Sequence, residues 1–412
     1  MTAPLLLAYI CAALLLQLAL GLGFVLWRRH ATVVPGTDGL HAQPVAAGAW
    51  PGWREFRVIR REYEDTSRTQ CSFYLAAMDG APLPTFQPGQ FLSFALEVAD
   101  AAEPGGRRSI IRCYSLSDRP DPKHYRVTIK RVPAPLERPG VAPGLSSGYF
   151  HDAVKEGAVL KVKAPAGHFH LDRQSMVPVV LIGGGIGITP VMSMLRWCLA
   201  EQPQRTVHLY YGLRNSKEHA FKQQLEQLAA KHARFHLDVV YSRPDPNDAA
   251  GRDYQHAGHV DLDLLRRSLP HGRHQFYVCG PAPMMENLVP ALAQWGVAME
   301  DIHFEAFGPA SVRLPGVAPA PAAAAAVSAV GVHFRRSGRT LVWSGQDANL
   351  LDFAERHGVA VNSGCRSGGC GSCQTRVVSG SVHYANRPDH DVAAGHCLLC
   401  VGTPISALEL EA

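Results

Sequence analysis

The stretch NSGCRSGGCGSCQT, Asn362 to Thr375, constrains this chain more than any other. Cys365, Cys370 and Cys373 fall within nine residues in the spacing C-x4-C-x2-C. So glycine-rich a run has little tendency to helix or strand, and three cysteines so close together imply a bound group. The spacing is one used by [2Fe-2S] clusters, which take a further, more distant cysteine. The intervening glycines let backbone N–H groups approach the sulfurs and stabilise a cluster's negative charge. Zinc is the alternative, because Cys397 and Cys400 make one C-x2-C pair. Zinc more usually takes two such pairs or a Cys/His mixture.

The remaining cysteines, Cys11, Cys71, Cys113, Cys198 and Cys279, stand apart from one another. Ten cysteines in 412 residues, half of them in one cluster, suit a reducing compartment better than a disulfide scaffold. The formal charge is only +5, and the 40 Lys+Arg form no run interleaved with aromatics, which argues against a nucleic-acid surface. From Pro4 to Trp27 the chain is uncharged and apolar apart from Gln17. A helix needs about 20 such residues to cross a hydrocarbon core of ~30 Å. The leading MTAP carries no basic side chain, and Arg28 and Arg29 follow the run. The expectation is an uncleaved transmembrane anchor over 1–30, single-pass in an inner or cell membrane, with the other domains cytoplasmic.

The length predicts two or three cores. Residues 31–52 read as a Pro/Gly/Ala tether. Over 53–172 short alternating runs such as FRVIRREYE, CSFYLAAM and QFLSFALEV, broken by Gly and Pro, predict an antiparallel β-barrel. Over 173–313 apolar strands (VVLIG, VHLYYG, FHLDVVYS, QFYVCG) alternate with helical stretches, the pattern of a doubly wound α/β domain. An Ala/Pro linker spans 314–331. A final α+β unit over 332–412 opens with VHFRRSGRTLVW as a hairpin and NLLDFAERHG as a helix.

IGGGIGITP, Ile182 to Pro190, follows an apolar strand and opens a helix, where a phosphate can approach the backbone and the helix N-terminus favours its charge. RCYSLS, Arg112 to Ser117, resembles the R-x-Y-S flavin motif of the ferredoxin–NADP reductase family. VCGP, Val278 to Pro281, resembles that family's nicotinamide-side motif. The motifs occur in family order from about 53 to 313, most like the reductase halves of flavohaemoglobins and the phthalate dioxygenase reductase type. The resemblance implies a flavin domain and an NAD(P) domain, with Arg112, Cys113, Tyr114 and Ser115 as the flavin-binding run. It puts the Tyr114 ring on the isoalloxazine, Ser115 near flavin N5 and Arg112 on the pyrophosphate, which a planar guanidinium suits. Gly144 and Ser147 in GLSSGYF resemble the pyrophosphate turn, which favours FAD over FMN. Gly183, Gly184, Gly185, Gly187, Thr189 and Pro190 border the nicotinamide nucleotide's phosphates, and Cys279, Gly280 and Pro281 lie by the nicotinamide. EAFGP resembles the flavohaemoglobin end motif, with Phe307 near the flavin and Glu305 as a proton relay. Ser115, Cys279 and Glu305 are thus the catalytic candidates. Arg214, Ser216 and Lys217 can accept a 2′-phosphate, but a basic residue there also suits NADH users, so NADH and NADPH both stay open.

The terminal unit resembles the plant-type ferredoxin domain, a β-grasp fold. In that family a proline follows the last ligand after three residues, and LLCVGTP fits Cys400, with Cys397 a buried neighbour. The implied ligands are Cys365, Cys370, Cys373 and Cys400. The resemblances together imply electrons passing from NAD(P)H to FAD to [2Fe-2S] and on to a redox partner protein. An oxygenase, hydroxylase or desaturase at the same membrane is the expected acceptor, with a respiratory or quinone-reducing complex as the alternative and a zinc scaffold as the outsider.

Overall fold

A computed structural model of the protein describes residues 49–99, 106–134, 143–306, 330–366, 368–384, 388, 390 and 392–412. Among these residues no helix is long and apolar enough to cross a membrane. The longest has 14 residues and rises about 21 Å, against the ~30 Å of a hydrocarbon core. The expected N-terminal transmembrane helix, and the membrane localisation and membrane partner drawn from it, are corrected on this finding. The run Pro4–Trp27 that prompted them lies outside the described residues. Hydropathy shows what a segment can bury; it does not show that the segment forms a spanning helix.

The first domain holds β1 (Arg54–Tyr63), β2 (Gln70–Ala77), β3 (Phe91–Ala99), β4 (Arg107–Ser115), β5 (Tyr125–Lys130), α1 (Leu145–Asp152) and β6 (Val159–Val162). The strands are antiparallel in the order β4-β3-β6-β1-β2-β5, and a bridge from Leu116 to Val127 joins the two edges. Alternation dictates the inside: Phe56 and Val58 of β1 are fully buried while Arg57 and Ile59 face out. Helix α1 plugs one end, with Phe150 edge-on to Phe73, Phe94 and Tyr114. Burying such a ring is worth about 1.5–3 kcal/mol.

The second domain comprises β7 (Val179–Gly184), α2 (Ile188–Glu201), β8 (Val207–Leu213), α3 (Lys222–Lys231), β9 (Phe235–Tyr241), β10 (His256–Ala257), α4 (Leu262–Ser268), β11 (Gln275–Gly280), α5 (Ala282–Gln294) and β12 (Ile302–Ala306). Its sheet is parallel in the order β10-β9-β8-β7-β11-β12. Strands β7 and β11 are buried throughout, as strands covered by helices on both faces must be. Leu181, Tyr277 and Cys279 join the core on one face, and Val180, Ile182 and Val278 the core on the other. The strand order reverses between β7 and β11, which opens a crevice at their C-terminal ends.

The third domain contains β13 (Val330–Phe334), β14 (Arg339–Trp343), α6 (Leu350–Arg356), β15 (Gln374–Ser379), β16 (Val382–Tyr384), β17 (His396–Leu398), β18 (Gly402–Pro404) and β19 (Leu408–Leu410). Five strands run β14-β13-β19-β15-β17, with β13 parallel to β19. Asn349 caps α6 by accepting from the Asp352 N–H, and Leu350, Leu351, Phe353 and Ala354 bury its inner face.

Barrel and nucleotide domain meet through Asp118, whose carbonyl accepts from Ser193 Oγ at 2.7 Å and whose carboxylate pairs with Arg196 at 3.0 Å. Lys130 of β5 pairs with Glu218 at 2.6 Å, and Gln70 donates to the Glu218 carbonyl at 2.8 Å.

Candidate functional site

The crevice between β7 and β11 opens into a cavity of about 950 Å³. Gly184, Gly185, Gly187, Gly280 and Pro281 line it, with Arg214 toward the end of β8. The glycines are required by close approach: a Cβ on Gly187 would sit 2.2 Å from the Cys279 carbonyl oxygen. Gly183, Thr189, Pro190 and Cys279 stand behind this wall instead of lining it. Thr189 is buried and donates through Oγ1 to the Ile186 carbonyl at 3.0 Å, holding the turn. The basic side chains read as 2′-phosphate acceptors already face carboxylates. Arg214 lies 3.4 Å from Glu218 and Lys217 3.3 Å from Asp245, while the Ser216 N–H donates to Asp248. Sequence reasoning missed Lys130 and Glu218, which also line the cavity, because the barrel contributes Lys130 from another domain.

Strand β4 carries the flavin motif. Period-two alternation puts Arg112 and Tyr114 on one face, Cys113 and Ser115 on the other. The Tyr114 ring packs edge-on against Phe94 and Phe150, and its hydroxyl meets Ser146 Oγ at 2.7 Å. Burial pushes the Tyr114 phenol up to about 12. Ser146 is therefore the serine of GLSSGYF that reaches the flavin motif. Ser147, expected there, is engaged locally: its Oγ donates to the Gly144 carbonyl at 3.0 Å and accepts from the Val132 N–H at 3.1 Å. Two adjacent serines at a helix start look alike in sequence, and only packing tells them apart. Arg112 Nη1 donates to the Ser363 carbonyl at 3.0 Å, which ties the barrel to the cysteine loop.

Register places Glu305 of β12 opposite Cys279 of β11. Glu305 Oε2 is buried without a hydrogen-bond partner, and burial, then the nearby Cys365, pushes its carboxyl up to about 8. Burial also pushes the Cys279 thiol well up. Glu305 thus offers one buried, unpartnered acceptor beside Cys279, as a hydrogen-bond donor of a bound ligand would need. Phe307 lies outside the described residues.

Of the four expected iron ligands, Cys373 and Cys400 come together although they are 27 positions apart in the chain, and Cys365 and Cys370 are neighbours in the loop. Their sulfurs form two pairs. Cys365 and Cys370 make one pair of neighbours, the Cys365 N–H donating to the Cys370 sulfur at 3.2 Å, and the Cys373 and Cys400 sulfurs, 3.1 Å apart, make the other. Backbone N–H groups of Cys365 and Ser372 point at the Cys370 sulfur, at 3.2 and 3.5 Å, and that of Gly369 at the Cys365 sulfur, at 3.2 Å. The neighbouring thiols push these groups in opposite directions, Cys370 far below the ordinary thiol range and Cys400 far above it, because sulfurs in contact share protons unequally. Among the described residues no three His, Cys, Asp or Glu side chains gather round one ion position. Paired sulfurs instead suit a two-iron cluster with two cysteines to each iron. Cys397 faces Thr375 across β17 and β15 and belongs to the hydrophobic core, and burial pushes its thiol up to about 12. Arg366, paired with Glu355 at 2.5 Å and Asp352 at 3.4 Å, ties the loop to α6.

The Cys113 thiol faces this cage. It lies 3.3 Å from Ser93 Oγ on β3, and the Cys365 and Cys370 thiols, then burial, push it well above the ordinary thiol value.

Comparison with known proteins agrees with this geometry. Residues 181–289 match the oxidoreductase NAD-binding domain, and residues 332–404 the 2Fe-2S iron-sulfur cluster binding domain. A flavohemoprotein of Rhizobium meliloti is 39% identical over 263 residues, 64% of this chain and 62% of that protein. The chain thus spans about three fifths of such relatives. The FAD/NAD-binding domain of a nitric oxide dioxygenase from Vibrio cholerae is 34% identical, with a TM-score of 0.53 over 63% of this chain and 100% of that one. Phthalate dioxygenase reductase, described as a modular structure for electron transfer from pyridine nucleotides to [2Fe-2S], is 27% identical. Its TM-score is 0.50 over 88% of this chain and 98% of that one. Over its barrel and nucleotide domains the chain belongs with the flavohemoprotein FAD/NAD-binding modules, and this oxidoreductase NAD-binding unit is followed by a 2Fe-2S iron-sulfur cluster binding domain.

Proposed function

We propose that this reductase delivers single electrons from its [2Fe-2S] domain to an oxygenase, hydroxylase or desaturase. The observation that carries this reading is the docking of the cysteine loop on the flavin strand, where Arg112 donates to the Ser363 carbonyl at 3.0 Å. The likeness to phthalate dioxygenase reductase over most of both chains supports it. When bound, FAD supplies the conversion of a two-electron hydride into single electrons, and the cluster carries them one at a time at roughly −400 mV.

The protein's own groups bind and orient. Gly184 to Gly187 and Gly280 leave backbone room for the nicotinamide nucleotide. Tyr114, held by Ser146, presents its ring to the flavin, and Ser115 presents a buried hydroxyl from the neighbouring face. Glu305, with its raised carboxyl, holds a proton at neutral pH at Oε2 beside Cys279. Cys365, Cys370, Cys373 and Cys400 hold the cluster.

Reconstitution tests the acceptor. Purified reductase, NADH or NADPH, and candidate oxygenase components taken from the same cells are combined, and substrate hydroxylation is measured. Hydroxylation that requires the reductase supports the reading. Turnover with quinones alone, and none with any oxygenase component, would replace it with the quinone-reducing alternative.

A further inference from the structure

We propose that Arg126 and Phe221 are positioning residues for nucleotide binding: they clamp the segment 214–221 of the nucleotide domain onto the barrel and so hold one wall of the crevice in place. The proposal rests on the reading of that crevice as the nicotinamide nucleotide site.

Tyr125, Val127 and Ile129 of β5 belong to the barrel core, so Arg126 and Thr128, which alternate with them, point out of it toward the nucleotide domain. Arg126 is only 1% exposed, which is rare for a guanidinium. Its Nε donates to Ser117 Oγ at 3.2 Å and its Nη2 to the Ser117 carbonyl, and its ion pair with Asp118 is 3.7 Å long. The guanidinium carbon lies 4.9 Å from the centroid of the Phe221 ring. A desolvated cation over an aromatic face gains more than one at the surface. Phe221 is itself buried, with φ +59 and ψ 16. Bulky side chains seldom take that left-handed backbone and keep it only where their surroundings over-determine it. Here the barrel does so: the Phe221 N–H donates to the Glu64 carbonyl at 3.2 Å, and the ring meets Arg126.

The segment is fastened to the barrel at further points. The Lys217 carbonyl accepts from the Ser67 N–H at 3.1 Å and from Thr66 Oγ1 at 3.3 Å, and the Glu218 carbonyl accepts from the Gln70 side chain at 2.8 Å. Its own domain also holds it, through the Ser216 N–H to Asp248 at 3.2 Å and His219 Nδ1 to the Tyr241 hydroxyl at 2.8 Å. Arg214 and Glu218 of this segment line the crevice, whereas Arg126 and Phe221 do not. The position of that wall is therefore set by how the barrel docks. A bound nucleotide and the clamp favour the same docked arrangement, so each strengthens the other.

Calorimetric titration of the full-length holoenzyme with NAD+ and with NADP+ tests this, on wild type, Arg126→Met, Phe221→Gly and the double variant. Glycine suits the backbone at position 221, so Phe221→Gly removes the ring without adding strain and carries the test if Arg126→Met does not fold. Each single variant is expected to bind the nucleotide that wild type prefers about tenfold more weakly. The double variant is expected to lose no more than either single one, because the two side chains act as one contact. In rapid mixing with NADH or NADPH, the concentration for half-maximal flavin reduction is expected to rise by the same factor while the limiting rate stays near that of wild type. Hydrogen exchange of the amides over 217–221 is expected to slow when that nucleotide is added to wild type, and not in Phe221→Gly. Unchanged affinity in Phe221→Gly, losses that add in the double variant, a limiting rate that falls as far as the affinity, or wild-type exchange that ignores the nucleotide each overturns the proposal and leaves the crevice reading standing. A wild type that binds neither nucleotide removes the crevice reading, and the proposal with it.

Discussion

Replacing Gly187 with alanine adds one methyl carbon where the glycine turn crosses β11. The Gly187 backbone, at φ −60 and ψ −9, is open to any residue, so the cost is steric and not conformational. The new Cβ would lie 2.2 Å from the Cys279 carbonyl oxygen, 2.5 Å from its carbonyl carbon and 2.9 Å from the Gly280 Cα. Ordinary carbon–oxygen contacts begin near about 3.3 Å, so the two backbones must part by about 1 Å. Main-chain atoms have no rotamer by which to retreat. Overpacking of this kind costs about 1–3 kcal/mol of stability. A displacement of about 1 Å at a reacting group lowers its rate by about 100-fold. Gly185→Ala is the control. Gly185 has φ +53 with nothing within 4 Å of its Cβ, so that variant carries only left-handed strain, about 1–2 kcal/mol. Thermal unfolding and rapid-mixing measurement of flavin reduction by NADH and NADPH separate the two effects. Gly187→Ala should slow reduction by about 100-fold, whereas Gly185→Ala should lose comparable stability with less than about tenfold change in rate. Flavin reduction at the wild-type rate in Gly187→Ala, or a slower Gly185→Ala, would refute the close-approach argument.

Cys400→Ser should abolish the iron–sulfur absorbance while flavin reduction by NAD(P)H persists, and Cys397→Ser should leave most of the absorbance; the reverse pattern would move the fourth ligand to Cys397. Glu305 keeps its proton in the folded protein up to about 8 but loses it near 4.5 when unfolded, so its contribution makes stability fall as pH rises between those values. Glu305→Gln should flatten that part of the melting-temperature profile, and a profile parallel to wild type would mean that the carboxyl is not desolvated. Arg112→Ala should release FAD on gel filtration more readily than wild type. Arg112→Lys should recover little, because an ammonium lacks the planar fork that holds a pyrophosphate; full FAD retention in both variants would take Arg112 out of the flavin site.

Much of the site was legible because its chemistry is written in short, local spacings. Three ligands fall in one loop, and the glycine turn directly follows its strand. Strand periodicity separated the barrel from the α/β domain at the change from alternating runs to buried strands. β4 was legible as a motif but not as a strand, since RCYS has no clean alternation and its inner face includes an arginine. GLSSGYF was read as a turn, and becomes the start of α1 with Ser146, not Ser147, meeting Tyr114. The N-terminal apolar run was the least secure, because a hydropathy count contains no partner contacts.

The amino-acid order by itself determined the cofactor-bearing units: a cysteine cage, a glycine-lined nucleotide crevice and a flavin strand, each specified by residues close together along the chain. Tertiary structure decided how those units face one another. Arg112 meets Ser363 across more than two hundred intervening residues, Glu305 loses its solvent beside Cys279, and Lys130 reaches the nucleotide cavity from the barrel. No local pattern encodes these meetings. They follow from the summed packing of separate cores, to which each side chain adds a small and position-dependent part.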